Sequence, residues 1–101
     1  MKTVMVRYKT LDSHASANEL LVHAVFDELR SRAPRGLRYA TYRLADGVTF
    51  VHIATLETPD DNPLTTLPSF KAFAQQLKDR CVEAPLVTEL LAVDSYAGLP
   101  S

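Results

Sequence analysis

The sequence predicts an α+β fold, a ferredoxin-like βαββαβ sandwich with two helices on one face of a four-stranded antiparallel sheet. Two segments with helical spacing of apolar residues alternate with four short β-rich segments within 101 residues. An Asp-Gly pair, which is typical of a tight hairpin, joins the second and third β-rich segments. The length fits one domain, which we expect to span residues 1–101.

The first elements are a strand and a long helix. Residues 3–9 (TVMVRYK) are short and β-rich, as a strand requires. Ser16 and Glu19 have the spacing of a capping box, in which a hydroxyl and a carboxylate each bond a free N–H at the helix start. The apolar stripe of this helix runs through Leu21, Val22, Val25, Phe26 and Leu29. Pro34 and Gly36 end it.

The hairpin determines which residues share a sheet face. Strands predicted over residues 37–44 and 48–56 flank Asp46-Gly47, residue types that adopt the positive φ angles of a two-residue type I′ turn. That turn pairs Ala45 with Val48 and sets the register of both strands. One face then carries Leu37, Tyr39, Thr41, Arg43, Phe50, His52, Ala54 and Leu56. The opposite face carries Ala40, Tyr42, Leu44, Val51 and Ile53.

The last part of the chain predicts a connection, a second helix and a fourth strand. Residues 57–68 are too rich in proline for a helix interior or a central strand. Pro68 suits the first position of a helix, where its missing N–H would have no partner. The apolar stripe of that helix runs through Phe70, Phe73, Ala74, Leu77 and Cys81. We expect Pro85 to end the helix and residues 86–96 to form the last strand.

Composition and charge exclude several classes of function. Hydrophobic residues make up 47% and charged residues 23%, as in ordinary globular proteins, and the net charge of −1 offers nothing to attract nucleic acid. The single cysteine, Cys81, cannot form an intramolecular disulfide. From the sequence we expect neither a signal peptide nor a membrane-spanning segment. We therefore expect a cytoplasmic protein without nucleic-acid or membrane partners.

The second sheet face, which carries Tyr42, Val51 and Ile53, is also apolar. Two helices cover only one face, and a sheet that faces water on one side alternates apolar and polar residues more regularly. We therefore expect a homodimer in which the second faces of two sheets pack together and close a barrel.

The sequence indicates neither a metal nor a cofactor. Glu19, His23 and Asp27 recur every four residues along one helix face, a spacing that ion pairs on a solvated helix also use. No second element offers further ligands. Glycine-rich phosphate loops, Cys-x-x-Cys pairs and glycine-flanked serine elbows are absent from the sequence.

The order of elements and the length resemble the dimeric α+β barrel family, which includes antibiotic-biosynthesis monooxygenases and heme-degrading monooxygenases. The resemblance covers residues 3–96 and is strongest at Gly36, the hairpin, and the segments 56–60 (LETPD) and 67–73 (LPSFKAF). Those two segments are similar to the family's Trp-Glu pair with its acidic connection, and to its Ser-Pro-His-Phe-x-x-Phe helix start.

Three departures from the family bear on function. Leu56 stands where the family has its tryptophan, and Ser69 stands where it has the helix-start histidine. Residues 4–9 contain no counterpart of the first-strand asparagine of heme-degrading members, which disfavours heme cleavage. The position of Leu56 nonetheless marks the face of Tyr39 and His52 as the helix side, where such families hold ligands.

A pocket is therefore expected between the sheet and the helices. Its predicted lining is Tyr39, Thr41, Phe50, His52, Leu56, Ser69 and Phe73. An apolar, aromatic lining with few polar groups favours a small hydrophobic or aromatic molecule. His52 is either a core histidine bonded to a hydroxyl or the acid/base group of this pocket, and burial would lower its pKa and favour the neutral ring.

Three functions remain open from the sequence. The resemblance implies a cofactor-independent monooxygenase acting on a small aromatic such as a quinol or an anthrone, which supplies electrons to oxygen itself. In it, His52 would take a proton while Tyr39 and Thr41 hold the oxyanion. The alternatives are a non-catalytic ligand-binding or stress-associated dimer, and an isomerase or cyclase that uses the same pocket.

Overall fold

The computed structural model describes residues 1–97 and has the predicted fold. The strands are β1 (Lys2–Thr10), β2 (Leu37–Arg43), β3 (Thr49–Leu56) and β4 (Cys81–Leu90). The helices are α1 (Ala15–Arg32), α2 (Pro68–Gln75) and α3 (Leu77–Arg80), with 3₁₀ turns at Asp12–His14 and Pro63–Thr66. The strands form one antiparallel sheet in the order β2-β3-β1-β4, which confirms the ferredoxin-like α+β class. The expectation of one domain over residues 1–101 stays a prediction.

The predicted register of the β2–β3 hairpin is confirmed, although the predicted turn type is wrong. Thr41 pairs with His52, as expected from the Asp-Gly position. Among residues 1–97, the only positive φ angle in this turn belongs to Gly47, at 79°, whereas a type I′ turn needs two. The Asp46 carboxylate instead accepts bonds from the N–H groups of Val48 and Thr49. The register survives because Leu44 N donates to Thr49 O, which keeps the same residues of the two strands opposite each other.

The predicted capping box at the start of α1 is also wrong. The helix begins at Ala15, so Ser16 already lies inside its first turn. The 3₁₀ turn before it starts the helical rotation earlier, and the Glu19 carboxylate bonds Arg43 instead. At the other end, Ala33 adopts the left-handed conformation and donates its N–H to Leu29 O, which ends the helix just before Pro34.

The second helix is shorter than predicted, and the last strand begins earlier. A break at Gln76 separates α2 from α3, and Cys81 starts β4 rather than extending a helical stripe. Pro85 lies within β4, which is an edge strand whose pairing with β1 shifts register between Arg7 and Lys9. Proline is tolerated at such edges and bulges because no ladder hydrogen bond is lost there.

The core lies between the sheet and the helices. The stacked rings of Tyr8 and Phe50, 5.6 Å apart, form its centre. Leu64 and Leu67, each 2% exposed, anchor the connection between β3 and α2 on this core. On the opposite sheet face Val51 and Ile53 are half-buried and Tyr42 is exposed. Within residues 1–97, no helix has the length and hydropathy needed to cross a bilayer.

Candidate functional site

His52 lies at the centre of the sheet and points into the core. Strand β3 is flanked by β1 and β2, so His52 has Thr41 beside it on one strand and Val6 on the other. Two residues farther along β1 on the same face comes Tyr8, and two residues along β2 comes Tyr39. The His52 side chain is therefore surrounded by groups from all three strands, and the residue is only 4% exposed.

Both ring nitrogens of His52 have hydrogen-bond partners. Nδ1 lies 2.7 Å from the Tyr39 hydroxyl and 2.9 Å from Thr41 Oγ1. Nε2 lies 2.7 Å from the Tyr8 hydroxyl. The structure thus brings together the three residues predicted to carry chemistry, Tyr39, Thr41 and His52, in direct contact.

The network continues through residues that sequence reasoning missed. Asn18 Nδ2 donates to the Tyr8 hydroxyl over 2.8 Å, and Arg80 Nε donates to Asn18 Oδ1 over 3.0 Å. Arg80 Nη2 donates to the carbonyl of Phe73 over 2.6 Å, and the guanidinium lies 5.4 Å from the centre of that ring. A chain of polar side chains therefore runs from α3 through α1 to the sheet.

One sequence signal for this network was present. Asn18 precedes Val22 and Val25 by four and seven residues, so the helical period places a polar residue on the buried stripe. Asn18 is 0% exposed, and a buried amide needs hydrogen-bond partners. Arg80 offered no comparable signal, because a cation near a helix end is usually solvated.

Burial determines which side chains of the site are protonated at neutral pH. It lowers the pKa of His52 to about 4, so the imidazole is neutral at pH 7. Burial raises the pKa of Tyr39 to about 12 and raises that of the Tyr8 hydroxyl as well. Both phenols are therefore hydrogen-bond donors at neutral pH, and the guanidinium of Arg80 is the formal charge in the network.

Two cavities adjoin this network. An inner cavity of about 150 Å³ lies between the sheet and α2, and its mostly apolar wall includes Tyr8, Tyr39, His52 and Phe73. An outer groove of about 450 Å³ runs between α1 and β2. Tyr39 borders both, so its ring separates the groove from the cavity.

The predicted pocket lining is thus divided. Tyr39, His52 and Phe73 line the inner cavity, whereas Thr41 and Phe50 line the outer groove. Leu56 and Ser69 line neither of these two spaces. Leu56 is buried at the end of β3.

Ser69 has a contact that accounts for its position outside the cavity. Its hydroxyl and backbone N–H both donate to the Glu28 carboxylate. This serine therefore joins the start of α2 to α1.

The acidic side chains on the His23 face of α1 contact neighbouring basic and histidine side chains. Glu19 lies 3.1 Å from Arg43 Nη1 and 3.6 Å from His23 Nε2, and Asp27 lies 3.5 Å from Arg30. Among residues 1–97, no three histidine, cysteine or acidic side chains are grouped closely enough to hold a metal ion.

Comparison with solved structures identifies proteins of the same fold. The Rv0793 protein of Mycobacterium tuberculosis is 23% identical, with a TM-score of 0.74 over 95% of this chain and 98% of that one. A Nitrosomonas europaea protein, whose name proposes an antibiotic biosynthesis monooxygenase, is 14% identical with a TM-score of 0.77 over 93% and 100% of the two chains. A further antibiotic biosynthesis monooxygenase is 18% identical, with a TM-score of 0.71 over 93% and 100%. The chain has the antibiotic-biosynthesis-monooxygenase fold.

The resemblance predicted from the sequence is confirmed at the level of this fold. No family model and no curated protein matches the chain. At identities below 25%, a shared antibiotic-biosynthesis-monooxygenase fold does not transfer a reaction, which has to follow from the chemistry of the site.

The lining of the inner cavity is chemically suited to an apolar molecule that carries one polar atom. The cavity is largely apolar, and three of its polar groups, Tyr8, Tyr39 and His52, meet at one wall. Such a cavity excludes water and offers hydroxyl groups to a single polar atom of a ligand. Excluding water also strengthens each hydrogen bond made to charge on that atom.

Proposed function

We propose that this protein is a cofactor-independent monooxygenase acting on a small electron-rich phenol or quinol bound in the inner cavity. The observation that carries the proposal is the hydrogen-bonded pair of Tyr39 and His52 at the wall of an apolar, aromatic cavity. Thr41 bonds the same His52 nitrogen from the side of the outer groove. The shared fold with proteins named antibiotic biosynthesis monooxygenases supports it. The volume of about 150 Å³ favours a single ring over a three-ring anthrone, since a cavity of this size holds a benzene-sized molecule.

The proposed reaction needs no electrons from the protein. A bound phenolate transfers an electron to O₂, and the resulting pair combines at a hydrogen-bearing ring carbon ortho or para to the oxygen. Loss of water then leaves a quinone, so that one phenol and one O₂ give one quinone and one water. The protein contributes by excluding water and by stabilising the negative oxygen through hydrogen bonds from its hydroxyl groups.

Oxygen uptake with a panel of phenols, hydroquinones and anthrones tests this proposal. We expect uptake matched by quinone absorbance, above the rate without protein, and fastest for single-ring members. His52→Phe fills the histidine position without a polar atom and should abolish the excess rate. His14→Gln is the matched control, since His14 lies outside the cavity and its side chain bonds only Ser13 among residues 1–97.

Other outcomes would replace the monooxygenase with one of the remaining functions. Binding of the same compounds without oxygen uptake would indicate a non-catalytic ligand-binding protein. Conversion of a compound to a product of equal mass would indicate an isomerase or cyclase.

We also propose that the chain forms a homodimer through the sheet face opposite the helices. Val51 and Ile53 are half-buried there and Tyr42 is 52% exposed, which leaves apolar area for a second copy to cover. Sedimentation at micromolar concentration should give a dimer for the natural chain and for Leu20→Glu, which changes an exposed residue of α1. Ile53→Glu should give a monomer, and a dimer of unchanged stability would overturn the proposal. The cytoplasmic location stays a prediction.

A further inference from the structure

The direction of each hydrogen bond in the buried network follows from the chemistry of its first member. A guanidinium can only donate, so the Asn18 atom beside Arg80 Nε must be the amide oxygen. The amide nitrogen of Asn18 therefore faces the Tyr8 hydroxyl, and it too can only donate. The orientation of the Asn18 amide is thus set by Arg80.

The Tyr8 hydroxyl in turn determines the tautomer of His52. The Tyr8 oxygen accepts from Asn18, so its single hydrogen is left for His52 Nε2, 2.7 Å away. If Nε2 carried the ring proton instead, the buried hydroxyl hydrogen of Tyr8 would have no acceptor among residues 1–97, at the cost of an unmade hydrogen bond. A neutral ring with an accepting Nε2 carries its proton on Nδ1. Nδ1 then donates to the oxygens of Tyr39 and Thr41.

We propose that Arg80, Asn18 and Tyr8 form a one-way hydrogen-bond chain that holds the His52 proton on Nδ1, so that the site donates hydrogen bonds and takes its ligand as an oxyanion. Every donor in this chain points from α3 towards the cavity. Because Nδ1–H donates to the Tyr39 oxygen, the Tyr39 hydroxyl keeps its own hydrogen for a ligand oxygen in the inner cavity. Tyr8, Asn18 and Arg80 are positioning residues.

The charge at the start of the chain supports this direction. Arg80 is only 6% exposed, and no carboxylate among residues 1–97 forms an ion pair with it. Its partners are the Asn18 oxygen, the Phe73 carbonyl and the Phe73 ring, all of them uncharged. A buried cation without a counter-charge polarises each following hydrogen bond in the same sense.

With this tautomer, His52 is not the proton acceptor that the sequence suggested. With Nδ1 protonated and Nε2 occupied by Tyr8, the ring has no free lone pair to take a proton from a ligand. The phenol is instead bound in its ionised form. The inference rests on the proposed function only in taking the inner cavity as the ligand site.

The tautomer can be measured without any ligand. In nitrogen-15 NMR spectra, protonated and unprotonated ring nitrogens have well-separated shifts, so we expect His52 to show a protonated Nδ1 and an unprotonated Nε2. Asn18→Asp is nearly isosteric and offers only acceptors, which reverses the Tyr8 hydroxyl and should move the His52 proton to Nε2. Gln75→Glu makes the same amide-to-acid change at an exposed site and should leave the tautomer unchanged. An Nε2 proton in the natural protein, or an unchanged tautomer in Asn18→Asp, would overturn the proposed hydrogen-bond chain.

Binding of 4-nitrophenol tests the preference for an oxyanion, because its phenolate absorbs visible light and its neutral form does not. At a pH where half of the free probe is ionised, we expect the natural chain to bind the phenolate about tenfold more tightly than the phenol. Arg80→Met should lose this preference, whereas Arg35→Met, which removes an exposed arginine from the α1–β2 connection, should keep it. Equal binding of the two forms, or no binding, refutes the oxyanion preference. Oxygen uptake by other phenols would still support the proposed function in that case.

Discussion

Removing one hydroxyl group, in Tyr8→Phe, tests how far the buried network contributes to stability. Tyr8 is 1% exposed, and its hydroxyl joins Asn18 to His52. The ring itself stays in place, because its stacking on Phe50 does not involve the oxygen. The variant therefore isolates the two hydrogen bonds from the packing of the core.

The expected cost follows from the groups left without partners. Loss of the oxygen leaves one N–H of Asn18 and the Nε2 lone pair of His52 unsatisfied, and each such buried group costs roughly 1–3 kcal/mol. We expect a loss of about 3 kcal/mol in the free energy of unfolding, a large share of the roughly 5–15 kcal/mol typical of a domain. The corresponding fall in Tm is roughly 10–20 °C for a chain of this size.

Tyr39→Phe is the matched comparison within the same site. Its hydroxyl also bonds His52, but Thr41 Oγ1 remains 2.9 Å from the same Nδ1 atom and can accept its proton. The cost should therefore be only about 1 kcal/mol. Urea unfolding at one fixed protein concentration would measure the free energy of unfolding of both variants. An unchanged m-value would be the check on a two-state transition. The reasoning is refuted if Tyr8→Phe costs no more than Tyr39→Phe.

Two further predictions concern the loss of stability at low pH and the exchange of backbone amide hydrogens. The unfolded chain protonates His52 near pH 6.5 and the folded chain only near pH 4, so stability should be full above pH 6.5 and fall by about 3 kcal/mol towards pH 4. Urea midpoints of His52→Asn should lack this part of the pH dependence. In the β3–α2 connection, hydrogen exchange should be fast at residues 58–60, which are exposed, and slower at Leu64 and Leu67, which the core buries. Equal protection of both parts would contradict this.

The β2–β3 part of the sheet could be predicted because hairpin register and the alternation of side chains depend on residues that are close in sequence. A residue pattern with period two and one hairpin sufficed to pair Thr41 with His52 and to place Tyr39 on the same face. The register survived an error in turn type, since the observed Leu44–Thr49 bond keeps the same residues of the two strands opposite each other. The contact of the three predicted residues follows from this local geometry.

The rest of the site depends on contacts between distant segments. Arg80 lies 62 residues from Asn18 along the chain, and Tyr8 lies 44 residues from His52. No periodic pattern relates such positions. The placement of Arg80 also depended on the helix break at Gln76 and the early start of β4, which the apolar stripe through Cys81 concealed.

The position of the buried cation links stability to binding. A buried arginine without a carboxylate is a cost that an apolar side chain of similar volume would avoid, so the fold alone gives no reason for its presence. Arg80 is joined to the cavity by a continuous chain of donors, and an oxyanion bound beside Tyr39 would supply the missing negative charge. Ligand binding should then stabilise the natural chain more than it stabilises Arg80→Met. The buried charge that destabilises the protein without ligand would thus make binding selective for an ionised ligand.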